Sequence, residues 1–253
     1  MLKAFILAGS GKCDKFKEKD ESTKALIKIN GREMISYILD ALKKLDYIEK
    51  IVVVGPKEKL GPLLKNYKVD VVDEGAELID NVMKGLECFS DEDEVLILNS
   101  DIPMITPEAL DDFVKRAEKL DADFAYPIIP KEDTEKKYPG AKRTYVRVKE
   151  GTFTGGNVAI VKAGSAKRCL ERARNFFLYR KSPWKLAGIL GIPIVLKFLL
   201  GRLTITEIEK RVFELFGIKA RAVISRFPEI GSDVDKESDL ELARKVLARE
   251  VVP

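Results

Sequence analysis

A chain of 253 residues is long enough for one large α/β domain or two small ones, and too long for a stapled mini-module. With 45% hydrophobic and 34% charged residues it can build a core, which excludes disordered and collagen-like chains. The net charge is +4, yet residues 162–227 hold 15 basic against 4 acidic side chains and the remainder 30 against 37, so an anionic partner is expected near that segment.

What is missing narrows the chemistry. There is no histidine, which excludes a His-based triad, a His general base and a His metal site. Glutamine is also absent while charged residues abound, a pattern compatible with a thermophilic source. Cys13, Cys88 and Cys169 are scattered and odd in number, as expected of a reducing, cytoplasmic setting rather than a disulfide or zinc framework. Residues 1–8 read as strand rather than as a cleavable leader. The longest apolar stretch, residues 186–200, is interrupted by Pro193 and Lys197 and is shorter than the ~20 residues a spanning helix needs.

Taken in chain order, residues 3–7 form a short apolar run ending in Ala8-Gly9, and 33–45 have helical spacing. Residues 50–54 and 69–72 are buried-strand runs, 78–89 a helix, 94–98 a strand, and 107–120 a helix with proline at its start. This alternation predicts βαβ units and a mostly parallel sheet between helices, with the site at the carboxyl edge of the strands. After Ala125 the rhythm changes: 144–148 and 157–161 read as two strands bracketing a glycine-rich turn, making the sheet mixed. Residues 163–178 read as a basic helix, 182–217 as an apolar, basic helical stretch, 220–224 as a strand and 236–248 as a closing amphipathic helix. The expectation is one domain spanning 1–253, with a helical insertion at 176–217.

Four constellations carry chemistry. Leu7-Ala8-Gly9-Ser10-Gly11 follows a strand, where glycines let backbone N–H groups approach a phosphate; an ordinary glycine turn reads the same way. Neither the dinucleotide fingerprint nor the P-loop spacing is met, since Asp14 stands at the third glycine position and no hydroxyl residue follows Lys12. Asn99-Ser100-Asp101-Ile102-Pro103 puts a carboxylate just beyond a central strand, suited to a hard divalent cation or equally to capping the helix from Pro107. In Asp233-Val234-Asp235 two carboxylates share a side of an extended chain, although Asp235 or Ser238 could simply start the last helix. Thr152-Phe153-Thr154-Gly155-Gly156-Asn157 can seat a polyol or phosphate, or form only a hairpin bend.

In order and spacing these motifs resemble the GT-A type nucleotidyltransferases, specifically the MobA-like NTP transferases and their cytidylyltransferase and sugar-nucleotide pyrophosphorylase relatives. The resemblance rests on Ile6-Leu7-Ala8-Gly9; on Lys24-Ala25-Leu26-Ile27-x-Ile29-x-Gly31-Arg32-x-Met34-Ile35; on Ser100-Asp101-Ile102-Pro103; on Gly155-Gly156-Asn157; and on Asp233-Val234-Asp235-x-x-x-Asp239-Leu240. It implies a Rossmann-like GT-A α/β fold and magnesium-dependent transfer of an NMP from an NTP to a phosphorylated sugar, alcohol or cofactor, with release of pyrophosphate. By that resemblance Leu7, Ala8, Gly9, Ser10, Gly11, Lys24 and Ser100 hold the nucleotide, and Asn81 is a candidate for the base. Lys24 and Asp101 are implied to be catalytic. Asp101 and Asp235 would bind magnesium, with Asp233 in reserve, and Thr154, Gly155, Gly156 and Asn157 lie where the acceptor sits.

The first loop departs from the family pattern, with Ser10 at the second glycine and no arginine before Arg32. Lys12 or Lys15 would have to stand in, without the bidentate fork of a guanidinium. That departure keeps a second reading open: a catalytically reduced nucleotide-binding or membrane-associated regulatory protein of the same fold. In the insertion, Arg180, Lys181, Lys185, Lys197 and Arg202 punctuate an apolar sequence. It reads as a packing or homodimer element, or as a peripheral membrane contact through 180–202 for a lipid-linked acceptor. It is more apolar than a nucleic-acid surface requires, so no nucleic-acid partner is expected.

Overall fold

The apolar run at the start of the chain is the middle of the sheet. In the computed structural model, which describes residues 1–9, 16, 23–170 and 183–249, β1 (Leu2–Leu7) lies between β4 (Ile48–Gly55) and β6 (Glu94–Asn99), parallel to both. β5 (Asp70–Asp73) extends the parallel set beyond β4. On the other side β10 (Val158–Lys162) runs antiparallel to β6 and to β7 (Phe124–Pro130), and β11 (Ala220–Ile224) adds in parallel to β7. With β9 (Gly151–Gly155) on β7 and β8 (Val146–Val148) on β9, the described residues form a mixed, mostly parallel sheet of nine strands. β2 (Lys28–Ile29) and β3 (Arg32–Glu33) make a separate hairpin. Its turn is Asn30-Gly31, both at positive φ, the pairing that matches hairpin twist.

Helices cover both faces because the strands are apolar on both. Ala4, Ile6 and Ala8 of one face pack with α1 (Met34–Lys43), α2 (Lys57–Leu64) and α4 (Pro107–Ala117). Phe5, Val52, Val54 and Val95 of the other meet α3 (Leu78–Leu86) and α6, whose described part is 163–170. α3 sits close on β1, and a Cβ on Gly85 would fall 2.2 Å from the Phe5 ring. A third cluster joins the hairpin, Phe16, Met104 and Tyr138 to α10 (Glu237–Arg249).

Downstream of α4 the sequence reading needs correction. Residues 124–130 form a strand and are followed by α5 (Lys131–Lys137), neither of which the pattern suggested. Nor is the stretch 152–157 a bend between two strands: Thr152 to Gly155 belong to β9, and the chain turns earlier, at Lys149 and Glu150, entering β9 through Gly151, where φ is +152°. β9 and β10 are two halves of one path along β7, broken at Gly156 and Asn157. Pro127 explains the break: its carbonyl accepts from the Gly156 N–H at 2.9 Å, and its imide nitrogen, on the same side, has no proton to offer.

The insertion is helical where it is described, with α7 (Pro183–Leu190), α8 (Ile192–Leu199) and α9 (Ile205–Phe216) between β10 and β11. α9 starts with a capping box, in which the Thr204 hydroxyl accepts from the Glu207 N–H and the Glu207 carboxylate from the Thr204 N–H. α8 leaves Ile192 and Leu199 each 73% exposed, and Leu196 and Leu200 are exposed as well. Among the described residues no helix is long and apolar enough to cross a membrane.

Candidate active site

Lys24 is the pivot of the site, and its neighbours in sequence exist to hold it. Lys24–Leu26 is one 3-10 turn whose Ala25 and Leu26 are buried, and Ile27, Ile29 and Met34 of the following hairpin and helix are buried as well. The apolar pattern after the lysine is thus an anchor that leaves the ammonium at the carboxyl edge of the sheet. Thr23, wholly buried, ties this turn to the first loop: its hydroxyl donates to the carbonyls of Ala8 (2.9 Å) and Gly9 (3.1 Å) and accepts from the Ala25 N–H. Nothing in the sequence pattern singled out Thr23, although a threonine just before the lysine is a natural cap for the turn.

The Lys24 Nζ lies 2.8 Å from Asp101 Oδ2 and also pairs with Asp235. Burial alone would lower its pKa; the charges and hydrogen bonds of Asp101 and Asp235 outweigh that and raise it, so the amine is always charged. Asp101 follows β6 directly and does not cap α4, a role taken by Thr106, whose hydroxyl accepts from Ala109. The Asp235 carboxylate accepts from Lys24, and its own N–H donates to Asp239 in the first turn of α10.

Asp233 completes an acidic cluster in which one carboxylate oxygen each of Asp101, Asp233 and Asp235 lies within 4.8 Å of the others. Burial first, and the Asp101 and Asp235 charges next, push the Asp233 carboxyl up to about 6 against the opposing pull of Arg143. Asp101 Oδ1 is buried and has no hydrogen-bond partner among the described residues. Three hard oxygen donors with an unsatisfied one among them are a ligand set that fits Mg2+.

Arg143 is the residue that sequence reasoning missed. It sits 3.3 Å from Asp233 with only 6% of its side chain exposed, and its Nε and Nη2 are buried without a hydrogen-bond partner among the described residues. The loop 139–145 carried no signal beyond its basic charge. Glu229 was missed too: it is buried, bonded to Lys137 at 2.6 Å and Thr106 at 3.2 Å, and so fixes the turn that delivers Asp233. The Val234 N–H in turn donates to the Asp101 carbonyl at 2.8 Å.

Beside the cluster opens a cleft of about 500 Å³ lined by Leu7, Gly9, Lys24, Asn81, Asn99, Ser100 and Asp101, with the 74–78 segment opposite. Ala8 is fully buried behind it, its N–H on Val54. Asn81 accepts from the Gly75 N–H at 2.6 Å and presses so closely on Gly9 that a Cβ there would lie 2.4 Å from its amide nitrogen. Ser10 and Gly11, like Lys12 and Lys15, lie outside the described residues. Of the acceptor residues, Asn157 is bonded to the Asn99 side chain at 3.0 Å, and Gly156 receives the Tyr126 hydroxyl at 2.8 Å. Thr154 and Gly155 line a separate apolar cavity on the sheet face under α9.

A mixed sheet with a glycine loop after its central strand, and a lysine and carboxylates gathered at its carboxyl edge, defines a Rossmann-like domain of the nucleotidyltransferase type. The profile of the MobA-like NTP transferase domain matches residues 4–183, and the chain belongs to that family. A hypothetical transferase from Thermus thermophilus shares 36% identity and superposes with a TM-score of 0.83, covering 94% of this chain and 99% of its own. The probable molybdenum cofactor guanylyltransferase of Pyrococcus horikoshii is 30% identical over 114 residues, 45% of this chain and 55% of that protein. The bifunctional protein GlmU of Thermodesulfovibrio yellowstonii is 31% identical over 110 residues, 42% of this chain and 24% of that protein. The match thus spans between a quarter and just over half of these two curated relatives.

Proposed function

We propose that the chain is a magnesium-dependent nucleotidyltransferase that moves an NMP from an NTP onto a phosphorylated small-molecule or lipid-linked acceptor and releases pyrophosphate. The observation that carries this reading is the meeting of Lys24 with Asp101, Asp233 and Asp235 at the mouth of the cleft. In this reading Gly9 lets the nucleotide phosphates approach the backbone, and the Lys24 ammonium faces the pyrophosphate as its negative charge grows. Asp101 and Asp235, with Asp233 beside them, would hold the Mg2+, which would neutralise phosphate charge when bound.

Arg143, beside Asp233, places a guanidinium charge behind the cluster that would favour an acceptor phosphate there. An oxygen of that phosphate attacks the α-phosphorus, the bond to the β-phosphate bridging oxygen breaks, and pyrophosphate leaves. A phosphate monoester is already largely dianionic at pH 7, its second pKa being about 6, so no general base is needed. A chain without histidine can run this reaction.

Thermal unfolding with ATP, CTP, GTP and UTP, each with and without magnesium, tests the reading. A nucleotide at a hundred times its dissociation constant adds about 2.7 kcal/mol. The expected result is a magnesium-dependent shift for one nucleotide that Asp101→Asn abolishes; no shift with any of the four would overturn it. The exposed apolar face of α8 favours a second reading, a membrane-associated nucleotide-binding protein without turnover. Nucleotide binding with no pyrophosphate release over a broad panel of phosphorylated acceptors would select it.

A further inference from the structure

The sheet face under α9 carries a cavity of about 420 Å³ that the site chemistry above does not use. Tyr126, Ile128, Val148, Phe153, Ile208 and Val212 are among the apolar side chains of its wall. Its two charged lining residues are spent on each other and on backbone: Glu209 lies 3.6 Å from Arg221 and accepts the Ala222 N–H at 2.9 Å. A wall of this kind offers little to a sugar or a peptide and suits a hydrocarbon chain.

Three observations tie the cavity to the transfer site. Thr154 and Gly155 at its edge lead straight into the break at Gly156 and Asn157, and Asn157 bonds Asn99 in the nucleotide cleft. Tyr126 belongs to both: its ring lines the cavity, its hydroxyl donates to the Gly156 carbonyl, and burial together with the Asp233 charge raises its pKa. Next to α9, α8 presents exposed Ile192, Leu196 and Leu199 beside Lys197, which pairs with Glu207 of α9. With Lys197 spent on Glu207, what α8 offers a bilayer is its exposed apolar face, a surface from which a hydrocarbon chain could pass to the cavity.

Resting on the transferase reading, we propose that this cavity takes the hydrocarbon tail of a lipid monophosphate, whose phosphate is the acceptor at the acidic cluster. Calorimetric titration of the full chain, in magnesium buffer without nucleotide, tests this with inorganic phosphate and with butyl, octyl and dodecyl phosphate, all below their micelle concentrations. Each methylene drawn into the cavity is worth roughly fourfold in affinity, so octyl should bind far more tightly than butyl phosphate. Filling the cavity with Ala222→Phe, or separately Val212→Trp, should cut the octyl-over-butyl ratio at least tenfold and leave butyl phosphate affinity unchanged.

Affinity independent of chain length, or a ratio retained in both variants, overturns the proposal. So does octanol binding as tightly as octyl phosphate, which would mean that the head group is not read. The nucleotide-induced thermal shift, measured on the same variants, shows that they fold and separates the two readings. A chain-length gradient without any nucleotide shift sinks the transferase reading, and a nucleotide shift without the gradient sinks only the lipid acceptor.

Discussion

The Lys24 ammonium lies 2.8 Å from Asp101 Oδ2, close enough that the two charges neutralise each other before any substrate arrives. Since Asp235 shares the same ammonium, Lys24 stands among groups that a divalent cation would claim. Lys24→Met should therefore bind Mg2+ more tightly than wild type in the absence of nucleotide, while NMP transfer falls roughly a hundred- to a thousandfold. Calorimetric titration of the metal and a pyrophosphate-release assay read the two effects separately; weaker metal binding in the variant would contradict the arrangement.

Asp233 should make the stability of the protein without added metal sensitive to pH. A carboxyl held up to about 6 binds its proton more tightly folded than unfolded, so metal-free stability should fall as pH rises from about 4 to 6. Asp233→Asn should flatten that slope, and saturating Mg2+ should flatten it in wild type. Melting temperatures across pH 4–7 with chelator and with magnesium check both, and an unchanged slope in Asp233→Asn would assign the effect elsewhere.

Gly85 is where α3 touches β1. An added methyl would meet the buried Phe5 ring at 2.2 Å, so α3 or the ring would have to move. Gly85→Ala should cost about 1–3 kcal/mol through overpacking, despite the gain in helix propensity. Urea unfolding measures it, and a stabilised variant would mean that the helix can shift.

The start of α9 depends on Glu207, whose carboxyl the Lys197 ammonium and the Thr204 N–H hold down at about 2. The stability from this depressed carboxyl is complete above its ordinary range and is lost as pH falls toward 2. The difference in melting temperature between wild type and Glu207→Gln should accordingly stay constant from pH 7 down to about 4.5 and shrink as pH falls from there toward 2. Thr204→Ala, which removes the other half of the cap, should cost about 1 kcal/mol.

Most of the first half of the fold was legible because its longer strands are short apolar runs punctuated by glycine, proline or aspartate and three of its helices are amphipathic. α2, with Pro62 inside it, and the two-residue strands of the β2–β3 hairpin carry no such period and went unread. The legibility ended at β7, where Pro127 and Pro130 disguise an internal strand. Only the coincidence of Pro127 with the interruption at Gly156 makes a proline tolerable there, and no local pattern reports a coincidence between segments 29 positions apart in sequence. In the site, Lys24, Asp101 and Asp235 could be named because family spacing marks them, and the structure brings them together. Arg143 and Glu229 could not, since what distinguishes them is burial, and an arginine in a charged loop or a glutamate after a proline looks solvated on paper.

One consequence follows from where the acids come from. Lys24 and Asp235 are 211 positions apart, and Asp233 and Asp235 reach Asp101 only through the final turn, which the Val234 N–H pins to the Asp101 carbonyl. During synthesis Gly9, Lys24 and Asp101 are all made long before Asp233 and Asp235. A nascent chain therefore carries one of the three clustered carboxylates through the 132 residues from Asp101 to Asp233, and the cluster closes only once the segment holding Asp233 and Asp235 has emerged and docked.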